Sequence, residues 1–305
     1  MTSTHHYREF WSRDFGYCVE GLLRLGYHHE VQKSLHYALE RFERGGIRTT
    51  ISPGGHAFSF PALYSPDSVA LFFHALRASH ADELCSAHDA FLQRELDTYA
   101  RTVLDDGRIR RGTHFGGMRD HARHDSSCYN HCMSILLARE AKKLGFDFPY
   151  TERELVRILG DYWTGSYYRD DRAHDTPSGD ANALPFWLGA GKHFSRVLKT
   201  LQEEQLDTPV PLAYSSHTET HMHFTEAFVP GWQHRTLWPF LGLIWMQAAK
   251  KHKPGLAQRY KQQFAELIER DGTLYEVYTP DGKPYQSLFY HADEGMLWAS
   301  MWLGI

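Results

Sequence analysis

The connections between its helical segments constrain this chain more than the segments themselves. Apolar residues recur at three- and four-residue spacing in eleven stretches. Phe15, Val19, Leu22 and Leu23 make the first, Val31, Leu35, Leu39 and Phe42 the second, and residues 291–303 the last. Gly26, Gly45-Gly46 and Gly145 read as helix stops. Ser65-Pro66 opens a helix with a capping serine and a proline in the first turn, and Thr151 with Glu154 has the spacing of a capping box. Short turns alternate strictly with long connections, the latter at 46–64, 105–127, 163–179, 205–235 and 271–290. Long loops in a compact domain are usually functional. Antiparallel helix hairpins stacked side by side place every long loop at one end. Closing the stack gives an all-α toroid, an (α/α)6 barrel with a decorated mouth. A count of eleven instead of twelve predicts one helix hidden in a loop or a trimmed ring. A solenoid of helix pairs is the structural alternative. No linker, low-complexity tract or charge run divides the chain, so 1–305 reads as one domain.

Charge and composition exclude several classes. Lys+Arg 33 against Asp+Glu 37 gives −4, with no basic field for nucleic acid or for an anionic membrane surface. No apolar run reaches the ~18 residues of a spanning helix. Residues 1–10 lack the basic-then-apolar layout of a signal peptide. Four cysteines, Cys18, Cys85, Cys128 and Cys132, are few for this length and fit a reducing cytoplasm. The 14% of aromatic residues, eight of them Trp, suit either a sugar-binding cleft or an aromatic core.

The long loops and the helix ends they feed carry six polar stations: Trp11 to Asp14, Tyr64 to Asp67, Gly116 to His121, Ser178 to Asn182, Pro230 to Pro239 and Leu274 to Gly282. They converge only if the ring closes. Glycoside hydrolysis needs two carboxyl groups, a proton donor to the leaving oxygen and a nucleophile or water-activating base, together with aromatic faces and hydroxyl-gripping polar groups. Asp14, Asp67, Asp120, Asp180 and Glu276 all compete for the two posts, and spacing does not choose among them. Each also has a plainer reading. Asp67 and Asp180 suit helix starts, Asp14 suits an ion pair with Arg13, Asp120 sits in a charged loop, and Glu276 lies in an extended stretch. His217, Glu219, His221 and His223 alternate as metal ligands on an extended segment would; a polar cleft wall is the alternative. Cys128 and Cys132, one helical turn apart, read as a buried helix face.

Taken in order, these stations resemble the six-hairpin glycosidases, most closely the glucosidase domain of glycogen debranching enzymes and its glucoamylase-type relatives. Phe10-Trp11-Ser12-Arg13-Asp14 is similar to that family's Trp-x-Arg-Asp helix. Tyr64-Ser65-Pro66-Asp67-Ser68 looks like its Tyr-Asn-x-x-Asp-Ala segment, and Gly116 to Ala122 falls where it has Thr-Trp-Met-Asp-Ala. Ser178 to Leu184 falls at its Arg-Pro-Asn-Gln helix start. Gln233 to Pro239 looks like its His-Gln-Gly-Thr-x-Trp-Pro, and Tyr275-Glu276 through Trp298 like its closing segment. Two departures stand out: Met118-Arg119-Asp120 lacks the family's Trp before the acid, and Arg235 replaces a glycine.

The resemblance implies an inverting hydrolase of α-linked gluco-oligosaccharides or a related small glycoside. Asp120 would be general acid and Glu276 general base. Arg13, Asp14 and Asp67 would grip hydroxyls, Trp11, Trp232 and Trp238 would form stacking walls, and Tyr64, Arg119, His234 and Arg235 would complete the substrate site. It implies a small carbohydrate as the partner and no metal or other cofactor. Two other classes remain open on the residues: a sugar epimerase or isomerase working through histidines such as His221 and His234, and a sugar-binding protein without turnover.

Overall fold

The computed structural model describes residues 2–3, 6–216 and 227–304. His217, Glu219, His221 and His223 lie outside the described residues. The chain forms twelve α-helices among these residues: α1 (Ser12–Arg24), α2 (His28–Phe42), α3 (Pro66–Ala78), α4 (Asp82–Ala87), α5 (Asp89–Val103), α6 (Cys128–Leu144), α7 (Glu152–Leu159), α8 (Gly179–Trp187), α9 (Phe194–Glu203), α10 (Pro239–His252), α11 (Pro254–Asp271) and α12 (Ala299–Leu303). The expected fourth helix is broken at His88 into α4 and α5.

Burial explains the arrangement. In α3, α6, α8 and α10 nearly every residue is buried, including runs such as Val69 to Leu76 and Phe240 to Met246. Such helices must be enclosed on all sides. Helices α2, α5, α7, α9 and α11 bury one stripe only, for example Val31, Leu35, Ala38, Leu39 and Phe42 of α2. The first set therefore forms an inner ring with α1, and the second an outer one. Around the ring α1 packs on α3, α3 on α6, α6 on α8 and α8 on α10, while α12 packs on α1. Phe240 of α10 stacks on Trp298, just before α12, with ring centroids 4.9 Å apart, and this contact closes the circle. The first helix is squeezed from both sides. A Cβ at Gly16 would lie 2.5 Å from Leu71 Cβ, and one at Gly21 would lie 2.5 Å from the Ser300 carbonyl.

The alternation of short and long connections is present as expected, and with it an all-α toroid. The sixth hairpin departs from expectation. Helix α12 is only five residues long, and 291–298 run as loop instead of helix. The ring is thus trimmed: the loop itself, through Met296 and Trp298, fills the place of the missing turns. The long connections also hold small sheets that periodicity did not reveal. Strands β1 (Phe10–Trp11), β2 (Thr50–Ile51) and β3 (Ala57–Phe58) pair antiparallel in that order, and β4 (Leu104–Asp105) pairs with β5 (Arg108–Ile109). The Thr151–Glu154 capping box forms. All four cysteines are buried free thiols. No helix among the described residues is long and apolar enough to cross a membrane.

Candidate active site

A cavity opens inside the ring of long loops. Half of its lining residues are aromatic: Tyr7, Trp11, Phe60, Tyr214, Trp232, Trp238, Phe240 and Trp298. Its charged groups are Arg13, Asp14, Asp120 and Glu276. The N-terminal segment is held at this mouth because β1 is pinned to β2 by the pairs Phe10↔Ile51 and Trp11↔Thr50. The turn into α1 then presents Trp11, Arg13 and Asp14 together.

Arg13 organises one side. Its guanidinium lies 3.3 and 3.4 Å from the two oxygens of Asp120, 3.6 Å from Asp67 and 4.0 Å from Asp14, and it donates to the Gly117 carbonyl. These carboxylates hold its pKa well above the ordinary value despite burial, so the cation persists. One cation cannot compensate three buried carboxylates. Burial pushes the Asp120 carboxyl up; Arg13 opposes the shift and Asp67 adds to it, and the net direction is upward. Asp14 is likewise raised, chiefly by burial, although it accepts a 2.7 Å hydrogen bond from Trp298 Nε1. The Asp120 side chain keeps 11% of its surface exposed, enough to meet a ligand.

Glu276 stands on the last loop. Its Oε1 accepts from the Tyr7 hydroxyl at 2.8 Å, and its Oε2 accepts from the Tyr290 hydroxyl. Its own backbone N–H donates to the Asp293 carbonyl at 2.8 Å, which fixes the loop. Burial pushes its carboxyl up to about 7, against the lowering effect of both tyrosine hydrogen bonds. The cavity therefore holds three carboxyl groups that burial raises, Asp14, Asp120 and Glu276.

The walls interlock. Trp232 meets Trp238 at 4.9 Å and Tyr290 at 5.3 Å between ring centroids, and Trp11 meets Tyr7 edge-on at 5.8 Å. Trp238 Nε1 donates to the Trp232 carbonyl at 2.9 Å. By contrast, the indole N–H groups of Trp11 and Trp232 are buried and have no hydrogen-bond partner among the described residues. Buried donors without partners are uncommon and point to an acceptor supplied by something else.

Seven of the expected residues line this cavity: Trp11, Arg13, Asp14, Asp120, Trp232, Trp238 and Glu276. The structure places the other five behind or beside it. Asp67 is buried behind Arg13 and accepts from the Tyr129 hydroxyl at 2.9 Å. Tyr64 packs on Tyr99 and Phe115, His234 is buried and Arg235 is exposed. Arg119 has a fully buried side chain, ion-paired to Asp170 and, at 3.5 Å, to Asp180. Asp180 is the second residue of α8 and Ser178 occupies the cap position. This buried cluster underpins the loop that presents Asp120. Sequence reasoning missed Tyr7, Tyr290, Tyr214, Gln233 and Phe60. Gln233 Oε1 accepts the His121 N–H at 2.7 Å, tying the Asp120 loop to the Trp232 loop.

No protein-family profile and no curated protein matches the sequence. Solved structures do match in fold. A structure described as wild-type glycosidase superposes with a TM-score of 0.69 at 11% identity, covering 99% of this chain and 88% of the other. A rhamnosidase from Klebsiella oxytoca with rhamnose bound gives 0.71 at 12%, covering 99% of this chain and 58% of the other. The GH63 mannosylglycerate hydrolase from Thermus thermophilus, in complex with glucose, gives 0.65 at 13%, covering all of this chain and 94% of the other. At these identities the likeness is one of fold: the chain has the architecture of the helical-barrel glycosidases.

Proposed function

We propose that this protein is an inverting glycoside hydrolase, acting on α-linked gluco-oligosaccharides or a related small glycoside. The observation that carries the reading is the presence of Asp120 and Glu276 in one aromatic-walled cavity, each carboxyl raised by burial. The fold shared with glycosidases supports it.

In this mechanism Asp120 gives its proton to the glycosidic oxygen as the bond to the anomeric carbon breaks. Glu276 takes a proton from a water on the opposite ring face, and the remaining hydroxide completes the new bond with inversion. Protons balance: one leaves Asp120 with the departing alcohol, one arrives at Glu276, and solvent resets both. Tyr7 and Tyr290 hold the base in place. Arg13 and Asp14 grip hydroxyls, the indole N–H groups of Trp11 and Trp232 find acceptors in the sugar, and Trp11, Trp232 and Trp238 cover its CH faces. The reaction needs two carboxyls and water, with no metal or nucleotide. Asp67, against Arg13, and Arg119, under the Asp120 loop, support these groups from behind.

Asp120 and Glu276 facing one cavity supply the two carboxyls that hydrolysis requires, and this favours hydrolysis over histidine-driven epimerisation. The test is release of reducing sugar from a panel of α-linked glucosides, beside Asp120→Asn and Glu276→Gln. Turnover lost in both variants is the expected result. Turnover unchanged in both, or conversion of free sugars alone, overturns the proposal.

A further inference from the structure

Asp120 stands on a segment, Gly116 to His121, that forms neither helix nor strand, so bonds to other elements set its place. Before Asp120, the Gly116 N–H donates to the Tyr64 carbonyl at 2.8 Å, the Gly117 carbonyl accepts from Arg13, and Arg119 is ion-paired to Asp170 and Asp180. After it, the N–H of the next residue, His121, donates to Gln233 Oε1 at 2.7 Å. A backbone N–H can only donate, so the amide oxygen of Gln233 must face it and the orientation of that amide is fixed. Gln233 is buried and directly follows Trp232, whose ring meets the His121 ring at 5.2 Å between centroids. One peptide thus separates the acid from this tie on one side, and one separates the tie from the Trp232 wall on the other.

Arg13 does not fix the acid by itself. Its guanidinium faces both oxygens of Asp120, but the attraction is strong only while Asp120 is charged. The form that gives up a proton is neutral, and a neutral carboxyl keeps the hydrogen bonds without the ionic part. In that form the backbone on either side of Asp120 carries its placement. We infer that Gln233 is a positioning residue for the proton donor: through the His121 N–H it holds Asp120 in register with the wall that Trp232 offers the sugar. This inference rests on the hydrolase reading above. Gln233 also lines the cavity, so a direct grip on a sugar hydroxyl is the competing role.

The experiment measures kcat and KM of the wild type, Gln233→Met, Asp120→Asn and the double variant on methyl α-glucoside and dinitrophenyl α-glucoside. Methionine keeps the length of the side chain and removes the amide acceptor. A displaced donor costs rate only where the leaving group needs a proton. Gln233→Met should therefore lose about tenfold to a hundredfold in kcat on the methyl glucoside and less than about threefold on the dinitrophenyl glucoside, with KM little changed on both. In the Asp120→Asn background the same substitution should cost nothing further on the methyl glucoside, because the group it positions is gone. Equal loss on both substrates, a raised KM on both, or a loss that persists undiminished beside Asp120→Asn assigns Gln233 to the sugar or to general stability and overturns the inference. If Gln233→Met melts early, Gln233→Asn, which keeps the amide and draws its oxygen back by one carbon, is read by the same criteria. If the wild type hydrolyses neither glucoside, the hydrolase reading fails, and hydrogen exchange over residues 116–122 decides the tie separately. Faster exchange there in Gln233→Met upholds it; equal exchange overturns it.

Discussion

Replacing Glu276 by glutamine removes a titration that the fold itself has displaced. The folded protein holds this carboxyl near 7, against 4.5 for a free glutamate, so the neutral form is the one the cavity favours. That displacement corresponds to about 3 kcal/mol. Its sign is definite. The stabilising contribution of the neutral carboxyl is fully present below 4.5, declines as the pH rises, and is gone above about 7, where the buried charge must be formed. Glutamine at the same place carries no such dependence. Urea unfolding of wild type and Glu276→Gln at pH 4, 6 and 8 therefore gives a stability difference that moves by about 3 kcal/mol in favour of the variant from the lowest to the highest pH. Against a total stability of about 5–15 kcal/mol this is readily measured. The difference between the two proteins cancels the titration of Asp14 and Asp120. A difference independent of pH would mean that Glu276 ionises as a free carboxyl does, and a change in favour of the wild type would mean that charged partners dominate burial. Either result refutes the reasoning that burial holds Glu276 neutral.

Other outcomes follow from the same geometry. Tyr290→Phe removes a hydrogen bond that lowers the Glu276 pKa, so ionisation of the base, seen in a pH profile of kcat/KM or by NMR of a labelled glutamate, should move above 7. Asp120→Asn should lose about 10²-fold or more on alkyl glycosides but retain much of its rate on glycosides whose leaving group needs no proton, such as a dinitrophenolate; equal loss on both would exclude the acid role. Arg119→Met leaves Asp170 and Asp180 buried without their cation and should cost about 3–5 kcal/mol in urea unfolding; a loss below about 1 kcal/mol would show the cluster to be solvated. Gly16→Ala, whose added carbon falls 2.5 Å from Leu71 Cβ, should destabilise by about 1–3 kcal/mol through overpacking.

Much of the architecture was legible because its signals are local. Apolar spacing marks each helix, and the alternation of loop lengths carries the ring. The capping box at Thr151 and the proline at Pro66 mark helix starts from neighbours within three residues. The last helix was overextended because Met296 and Trp298 are as apolar as helical residues, yet they pack from a loop. At the site, Trp11, Arg13, Asp14, Asp120 and Glu276 belong to motifs with fixed order. Tyr7 and Tyr290 do not. Their hydroxyls reach Glu276 across 269 and 14 residues of chain, and no spacing rule announces such a contact. The resemblance put Arg119 in the substrate site beside Asp120. Its partner Asp170 comes from a different loop and reverses its exposure. Sequence patterns report neighbours along the chain, whereas burial of a charge is decided by neighbours across it.

The most direct measurement of the central claim is proton NMR of the first sugar released from an α-linked glucoside. If Asp120 acts as acid and Glu276 as base in a single displacement, the initial product is the β-anomer, and its appearance is abolished in Glu276→Gln. Initial release of the α-anomer, or β-anomer formed at an undiminished rate by that variant, contradicts it.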